Sequence, residues 1–283
     1  MLVLIAGITG MCGQPLAQAA LAKGHRVRGL GRNPDKLALD LSARLEGFAK
    51  MKDIYDIAAL DRAVQGADAV ICAYNPSPEL IVEGQILLLR AAERAGVKIF
   101  HAASWNMDWT RNRLGDHETY DCYIAFCNHA RISSPINPLY AFTGTILEWE
   151  LQQTYRPKTL DGPGRIARYF GTGRGRLPWT SADDLAAYTI EAISSPTSSD
   201  GGFYRVHSFR ASVLELADAY EKVRGGGVEI KRACLGSAEE LEAMLRRARK
   251  EVPPYRHAEY VGLAYAKYML DGIVQDAIAL DHA

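Results

Sequence analysis

Leu2-Val3-Leu4-Ile5-Ala6-Gly7-Ile8-Thr9-Gly10-Met11-Cys12-Gly13 is the stretch whose reading decides the fold. Its first five residues are apolar without a break, the pattern of a strand buried on both faces. They stop at Gly7, and Gly10 and Gly13 follow at three-residue spacing. Only glycine lets a chain turn this tightly and lets backbone amides approach a diphosphate closely. Gln14 to Lys23 supplies a helix, with Pro15 tolerated in its first turn, Leu16, Ala19 and Ala20 on one face, and Gly24 as a stop. The N-terminal partial positive charge of that helix points at the turn. A glycine triplet alone also fits an ordinary strand-to-helix turn. Its place within one βαβ-sized unit favours a dinucleotide held by Gly7, Thr9, Gly10, Met11, Cys12 and Gly13.

The second strand, Arg26 to Leu30, ends where such folds choose between cofactors. An NAD-binding chain normally carries Asp or Glu there for the ribose 2′-hydroxyl; this chain has Gly31 and then Arg32. Arg32 can fork onto a 2′-phosphate, and Asn33-Pro34-Asp35-Lys36 starts a helix that brings Lys36 close behind. If the two cations add roughly 1.5 to 2 kcal/mol each, NADP(H) is favoured by about a hundredfold or more.

The 283 residues suffice for a full core, and 33 basic against 33 acidic side chains leave no net charge. Nucleic acid is therefore not an expected partner. Cys12, Cys72, Cys122, Cys127 and Cys234 form an odd set without metal-ligand spacing, read as reduced thiols in a cytoplasmic protein with no metal site. The N-terminal apolar run is far shorter than the about twenty residues of a membrane span, so no membrane is expected.

Further strands are expected at Gly47 to Met51, Ala69 to Tyr74, Val97 to Ala103 and Leu139 to Phe142, with helices at Ala58 to Val64, Val82 to Ala95 and Tyr120 to Ile132. Asp53 and Ile54 lie where the adenine is commonly met, and Ala73, Tyr74 and Asn75 where a strand end walls the nicotinamide. Trp105, Met107 and Trp109 follow the fifth strand, and with Tyr120, Phe142 and Trp149 they suggest a flat apolar substrate; aromatic packing under a loop fits the first three equally well. The Gly- and Pro-rich stretch up to Pro178 is the expected covering loop or hairpin. Ser181, Ser212 and Ser237, each with an acid three residues on, are helix starts; strands at Phe203 to His207 and Val228 to Cys234 lie between them. The arginines and lysine of 246–250 read as a solvated helix face.

The expected architecture is α/β: a Rossmann-type doubly wound parallel sheet over residues 1–150, and a smaller C-terminal α+β substrate lobe over 151–283, with some of its segments returning to the sheet. Gly7-Gly10-Gly13, Gly31-Arg32-Asn33-Pro34 with Lys36, Ala67-Asp68-Ala69-Val70-Ile71, Ala95-Gly96-Val97-Lys98-Ile99-Phe100 and Ser181-Ala182-Asp183-Asp184-Leu185 occur in that order. The set resembles the NmrA-like and isoflavone-reductase-like branch of the atypical short-chain dehydrogenases. That resemblance covers most of the chain and is strongest over residues 1–105. It implies NADP(H) and a small lobe closing over a hydrophobic substrate. It also implies a lysine on the helix after the fifth strand, where this chain offers Cys127. A thiol cannot replace an ammonium. Tyr123 and Ser104 match the proton donor and carbonyl-polarising serine of the broader class, with Asp108 and His117 as further acid/base candidates.

The leading expectation is an NADPH-dependent reductase of a small aromatic or polyketide-like metabolite. The missing lysine keeps open a non-redox isomerase, dehydratase or cyclase using groups between Asp108 and Tyr123, and fold alone does not dismiss an NADP-sensing regulator. A homodimer is left open.

Overall fold

In the computed structural model, which describes residues 1–152 and 158–270, the opening stretch forms strand β1 (Leu2–Ala6), buried along its whole length, and helix α1 (Gly13–Ala22). β2 (Arg26–Gly31) and β3 (Gly47–Lys50) extend the sheet on one side of β1, with α2 (Leu39–Arg44) between them. On the other side, after α3 (Ile57–Val64), come β4 (Ala69–Cys72), β5 (Ile99–His101) and β6 (Leu139–Phe142), linked by α4 (Gln85–Arg94) and α5 (Glu118–Ser133). Every neighbouring pair is parallel, and the order is the doubly wound one, 3-2-1-4-5-6. The reversal of direction beside β1 opens a crevice at the carboxyl ends of β1 and β4.

The chain then leaves this sheet. β7 (Thr145–Ile146) and α6 (Leu147–Gln152) begin the lobe, β8 (Leu160–Asp161) and β9 (Ile166–Tyr169) form an antiparallel hairpin in it, and β10 (Leu177–Thr180) pairs with β7. α7 (Ala182–Ser194) packs on α1, and β11 (Gly202–Arg205) rejoins the main sheet as a seventh parallel strand beside β6. The strand expected at Phe203 to His207 thus belongs to the Rossmann sheet. Its inward positions complete that core: Tyr204 bonds His101 of β5, and Arg205 pairs with Asp108. The chain leaves again through β12 (Phe209–Ala211), α8 (Val213–Arg224), β13 (Lys231–Cys234), α9 (Ala238–Glu251) and α10 (Val261–Leu270). β12 adds to β10, and β13 to β9.

Local chemistry explains most of the boundaries. Ser212 and Ser237 close full capping boxes with Glu215 and Glu240. Ser181 caps its helix through the Asp184 amide, but the reciprocal half is missing: the Asp184 carboxylate accepts instead from the Ser208 hydroxyl, which in turn receives the Ser181 amide. The helix expected from Val82 begins one element earlier, as a π-helical turn over Glu79–Gly84 leading into α4. The basic face of α9 is exposed as expected at Arg246, Arg247 and Lys250, with Arg246 paired to Glu242 and Arg247 to Glu251, whereas Arg249 crosses to Glu118 of α5 at 2.7 Å. All five thiols are free. Among the described residues no helix is long and apolar enough to cross a membrane.

Gln85, at the first position of α4 and 1 % exposed, ties this layer to the sheet: its Oε1 accepts the Ala103 amide at 2.7 Å and its Nε2 donates to the Ile81 carbonyl at 3.3 Å. Gln85→Leu leaves a buried amide unpaired, and urea unfolding should show about 1 to 3 kcal/mol of lost stability.

Candidate functional site

The turn after β1 is set by contacts between backbones. Gly7 has φ +80°, and a Cβ there would stand 2.4 Å from the carbonyl oxygen of Ala73 at the end of β4. A Cβ on Gly13 would stand 2.3 Å from the Gly7 oxygen. The turn holds itself through the Gly10 amide, which donates to the Gly7 oxygen at 2.9 Å, and α1 starts without a side-chain cap. The amides of Met11, Cys12 and Gly13 donate to no acceptor among the described residues. A helix start with unclaimed N–H groups, backed by glycines that admit nothing larger, fits a diphosphate. Burial first, with Glu148 nearby, pushes the Cys12 thiol up to about 12, so it adds no negative charge there.

Arg32 and Lys36 are exposed just past β2, with no carboxylate partner among the described residues. Asp53 and Ile54 lie outside the lining of the large cavity: Asp53 accepts the Tyr55 amide at 2.9 Å, and Ile54 packs against Gly84. None of these four residues lines the cavity, whereas the turn does so through Gly10, Met11 and Cys12. The cavity has a volume of about 600 Å³. Gly10, Met11 and Cys12 line its start, and Ala73, Tyr74 and Asn75 stand beside them at the end of β4. Trp105, Met107, Tyr123 and Trp149 line its deeper part.

Each of these walls is fixed. Trp105 stacks on His101 with centroids 5.1 Å apart and planes at 15°, and its indole N–H donates to Thr189 Oγ1 at 2.9 Å. Tyr123 is 5 % exposed, its hydroxyl accepting from the Asn106 side chain; burial holds its pKa well above the ordinary tyrosine range. Asn106 is locked in turn, because its carbonyl accepts the amides of Thr143 and Gly144 at 3.0 and 3.2 Å. Glu150, 1 % exposed, accepts the Thr159 amide at 2.6 Å through Oε1. Among the described residues no lysine or arginine lines this cavity.

Several expected site residues lie elsewhere. Ser104, 1 % exposed, accepts the Ala141 amide at 2.8 Å and donates to the Ala102 carbonyl, so its hydroxyl joins β5 to β6 and does not face a substrate. Asp108 is an ion-pair partner of Arg205 and accepts from Thr110. Trp109 and Phe142 meet edge to face at 5.4 Å inside the core, and Tyr120 is fully buried. His117 is boxed by Tyr120, Tyr265 and Tyr268, with neither ring nitrogen partnered, and does not line the cavity. Nearness to the end of the fifth strand thus does not decide which side chains enter the cavity: Trp105 and Met107 line it, and Ser104, Asp108 and Trp109 do not. Cys127, one helical turn from Tyr123, sits against Tyr140 and outside the cavity.

What sequence reasoning missed is the cover. His257, Ala258, Val261, Tyr265 and Met269 close the cavity from the C-terminal end of the described chain, whereas the hairpin of the Gly- and Pro-rich stretch sits one layer further out. The signal was weak, because α10 is apolar on nearly all sides and shows no distinct face.

Burial holds His101 neutral down to about pH 3 and His117 to about pH 4, from the usual 6.5. Below pH 6.5 the unfolded chain takes up protons that the folded chain refuses, so stability falls as pH drops from 6.5 toward 4. The slope is up to about 1.4 kcal/mol per pH unit for each group. Urea midpoints between pH 7 and pH 5 should fall less steeply in His117→Phe than in the unaltered protein.

The NmrA-like family model matches residues 1–244. A bifunctional pinoresinol-lariciresinol reductase of Linum perenne is 28 % identical over 244 residues, covering 80 % of this chain and 76 % of its own length. The crystal structure of an isoflavone reductase superimposes with a TM-score of 0.77 at 20 % identity, over 98 % of this chain and 90 % of that one. The leucoanthocyanidin reductase–NADPH binary complex from Vitis vinifera does so with 0.74 at 19 %, over 99 % and 90 %.

Proposed function

Because this chain belongs to the NmrA-like family, we propose that it is an NADPH-dependent reductase of a small, neutral, largely aromatic or polyketide-like molecule. The observation that carries the reading is the glycine turn with its three unclaimed amides opening directly into an aromatic cavity that contains a buried tyrosine hydroxyl. A relative and a structural neighbour are a pinoresinol-lariciresinol reductase and a leucoanthocyanidin reductase bound to NADPH, which supports the same chemistry at this site.

In this reading Met11, Cys12 and Gly13 hold the diphosphate through their amides, and Arg32 with Lys36 holds the 2′-phosphate. A nicotinamide bound there would supply the hydride. Ala73, Tyr74 and Asn75 wall its ring, and Trp105 with Trp149 orients a flat substrate. Tyr123 keeps its proton throughout the neutral range, because burial disfavours the phenolate, and Asn106 fixes the hydroxyl position. It therefore serves as proton donor to the substrate. Among the described residues no lysine lines the cavity with it, so the donor lacks the support of the ammonium that the family resemblance implies. The apolar walls and the buried Glu150 disfavour a carboxylate-bearing substrate. The non-redox alternative is left with Tyr123 from its acid/base set, since Asp108, Asp116, His117 and Tyr120 do not line the cavity, and this favours the reductase reading.

Calorimetry with Arg32→Ala should show NADPH binding weakened by about tenfold or more with NADH binding unchanged. Failure of the unaltered protein to bind either nucleotide would overturn the reading. Tyr123→Phe should lower kcat by about ten- to a hundredfold with NADPH binding within twofold, and product should form one for one with NADPH consumed.

A further inference from the structure

A second cavity of about 410 Å³ lies in the lobe, behind the cover of the first. Tyr169, Phe170, Leu177, Val213, Leu263 and Ala266 give it apolar walls. Three charged residues also line it: Arg168, which donates to the Lys158 carbonyl at 3.1 Å and lies 4.0 Å from Asp161; Glu259, which accepts from Arg256 at 2.6 Å; and Lys158.

The two cavities share a wall. Ala258, Tyr265 and Met269 line both, and the last two stand one helical turn apart on α10, so they form a partition one side chain thick. Methionine is unbranched and turns about three side-chain bonds, which suits it to a partition that yields. The first cavity alone falls in the range of a ligand site for a compact molecule, and the two together reach the upper end of that range.

We propose that the substrate is amphiphilic in shape, a neutral aromatic or enone head in the first cavity carrying an unbranched apolar tail that passes Tyr265 and Met269 into the second. This rests on the reductase reading for the head and extends it to the tail. The second cavity contributes affinity and selection by length; the reacting atoms stay in the first. A tail without charge is the one that fits, because most of the wall it meets is hydrocarbon and aromatic surface.

The test uses 4-alkylphenols, from 4-methylphenol to 4-decylphenol, as unreactive probes of the full chain, titrated by calorimetry with and without NADP⁺. Affinity should rise about three- to fourfold with each added methylene until the second cavity is full, and then level off. Ala266→Phe, which fills the second cavity without lining the first, should abolish the rise and leave the binding of 4-methylphenol and NADP⁺ unchanged. Leu177→Phe, which narrows the cavity from its opposite wall, should do the same, and retained NADP⁺ binding shows that each variant is folded. A flat series in the unaltered protein, or a rise that survives both variants, overturns the proposal. Loss of NADP⁺ binding in the unaltered protein overturns the reductase reading, and the series without nucleotide still decides the tail.

Discussion

The structure depends on a contact between backbones that leaves no room for side chains. β1 and β4 lie side by side, and the turn leaving β1 passes so close to the end of β4 that the Gly7 position has a carbonyl oxygen where a Cβ would stand. Gly13 presses the first turn of α1 onto the same loop. This crowding draws the start of the helix down to the sheet, where the amides of Met11, Cys12 and Gly13 find no acceptor among the described residues. The distance between the glycine turn and the aromatic cavity follows from it, since Ala73 both crowds Gly7 and lines the cavity.

A second close approach positions the lobe. Gly144, with φ +71°, brings the strand after β6 against Pro178 of β10, and a Cβ there would stand 2.2 Å from the Pro178 carbonyl oxygen. The Gly144 amide also donates to Asn106, whose side chain reaches Tyr123. One short run of backbone therefore sets both where the lobe starts and where the tyrosine hydroxyl is held. The chemistry at the site is thus supported by main-chain geometry more than by charge.

Much of this was legible in the sequence where the signal was local. The Gly7-Gly10-Gly13 spacing, the apolar runs of β1 and β4, and the serine starts of α8 and α9 each act within a few residues, and each was read with nearly its observed bounds. Legibility failed where side-chain direction decided. Trp105 and Trp109 stand four residues apart after the same strand, yet one lines the cavity and the other is packed in the core. Ser104 looks like a catalytic serine in sequence, and its hydroxyl is spent on the amide of Ala141, 37 residues away. The cover was least legible of all, because the return of α10 to the crevice is a property of the assembled lobe, to which no short pattern in residues 254–270 corresponds.

The chain crosses between the main sheet and the lobe three times: after β6, before α7 and after β11. A lobe fastened at three points is constrained in more directions than one joined by a single hinge. The first fastening is itself pinned, with both Thr143 and Gly144 bonded to Asn106. Any opening of the site must therefore bend all three connections together.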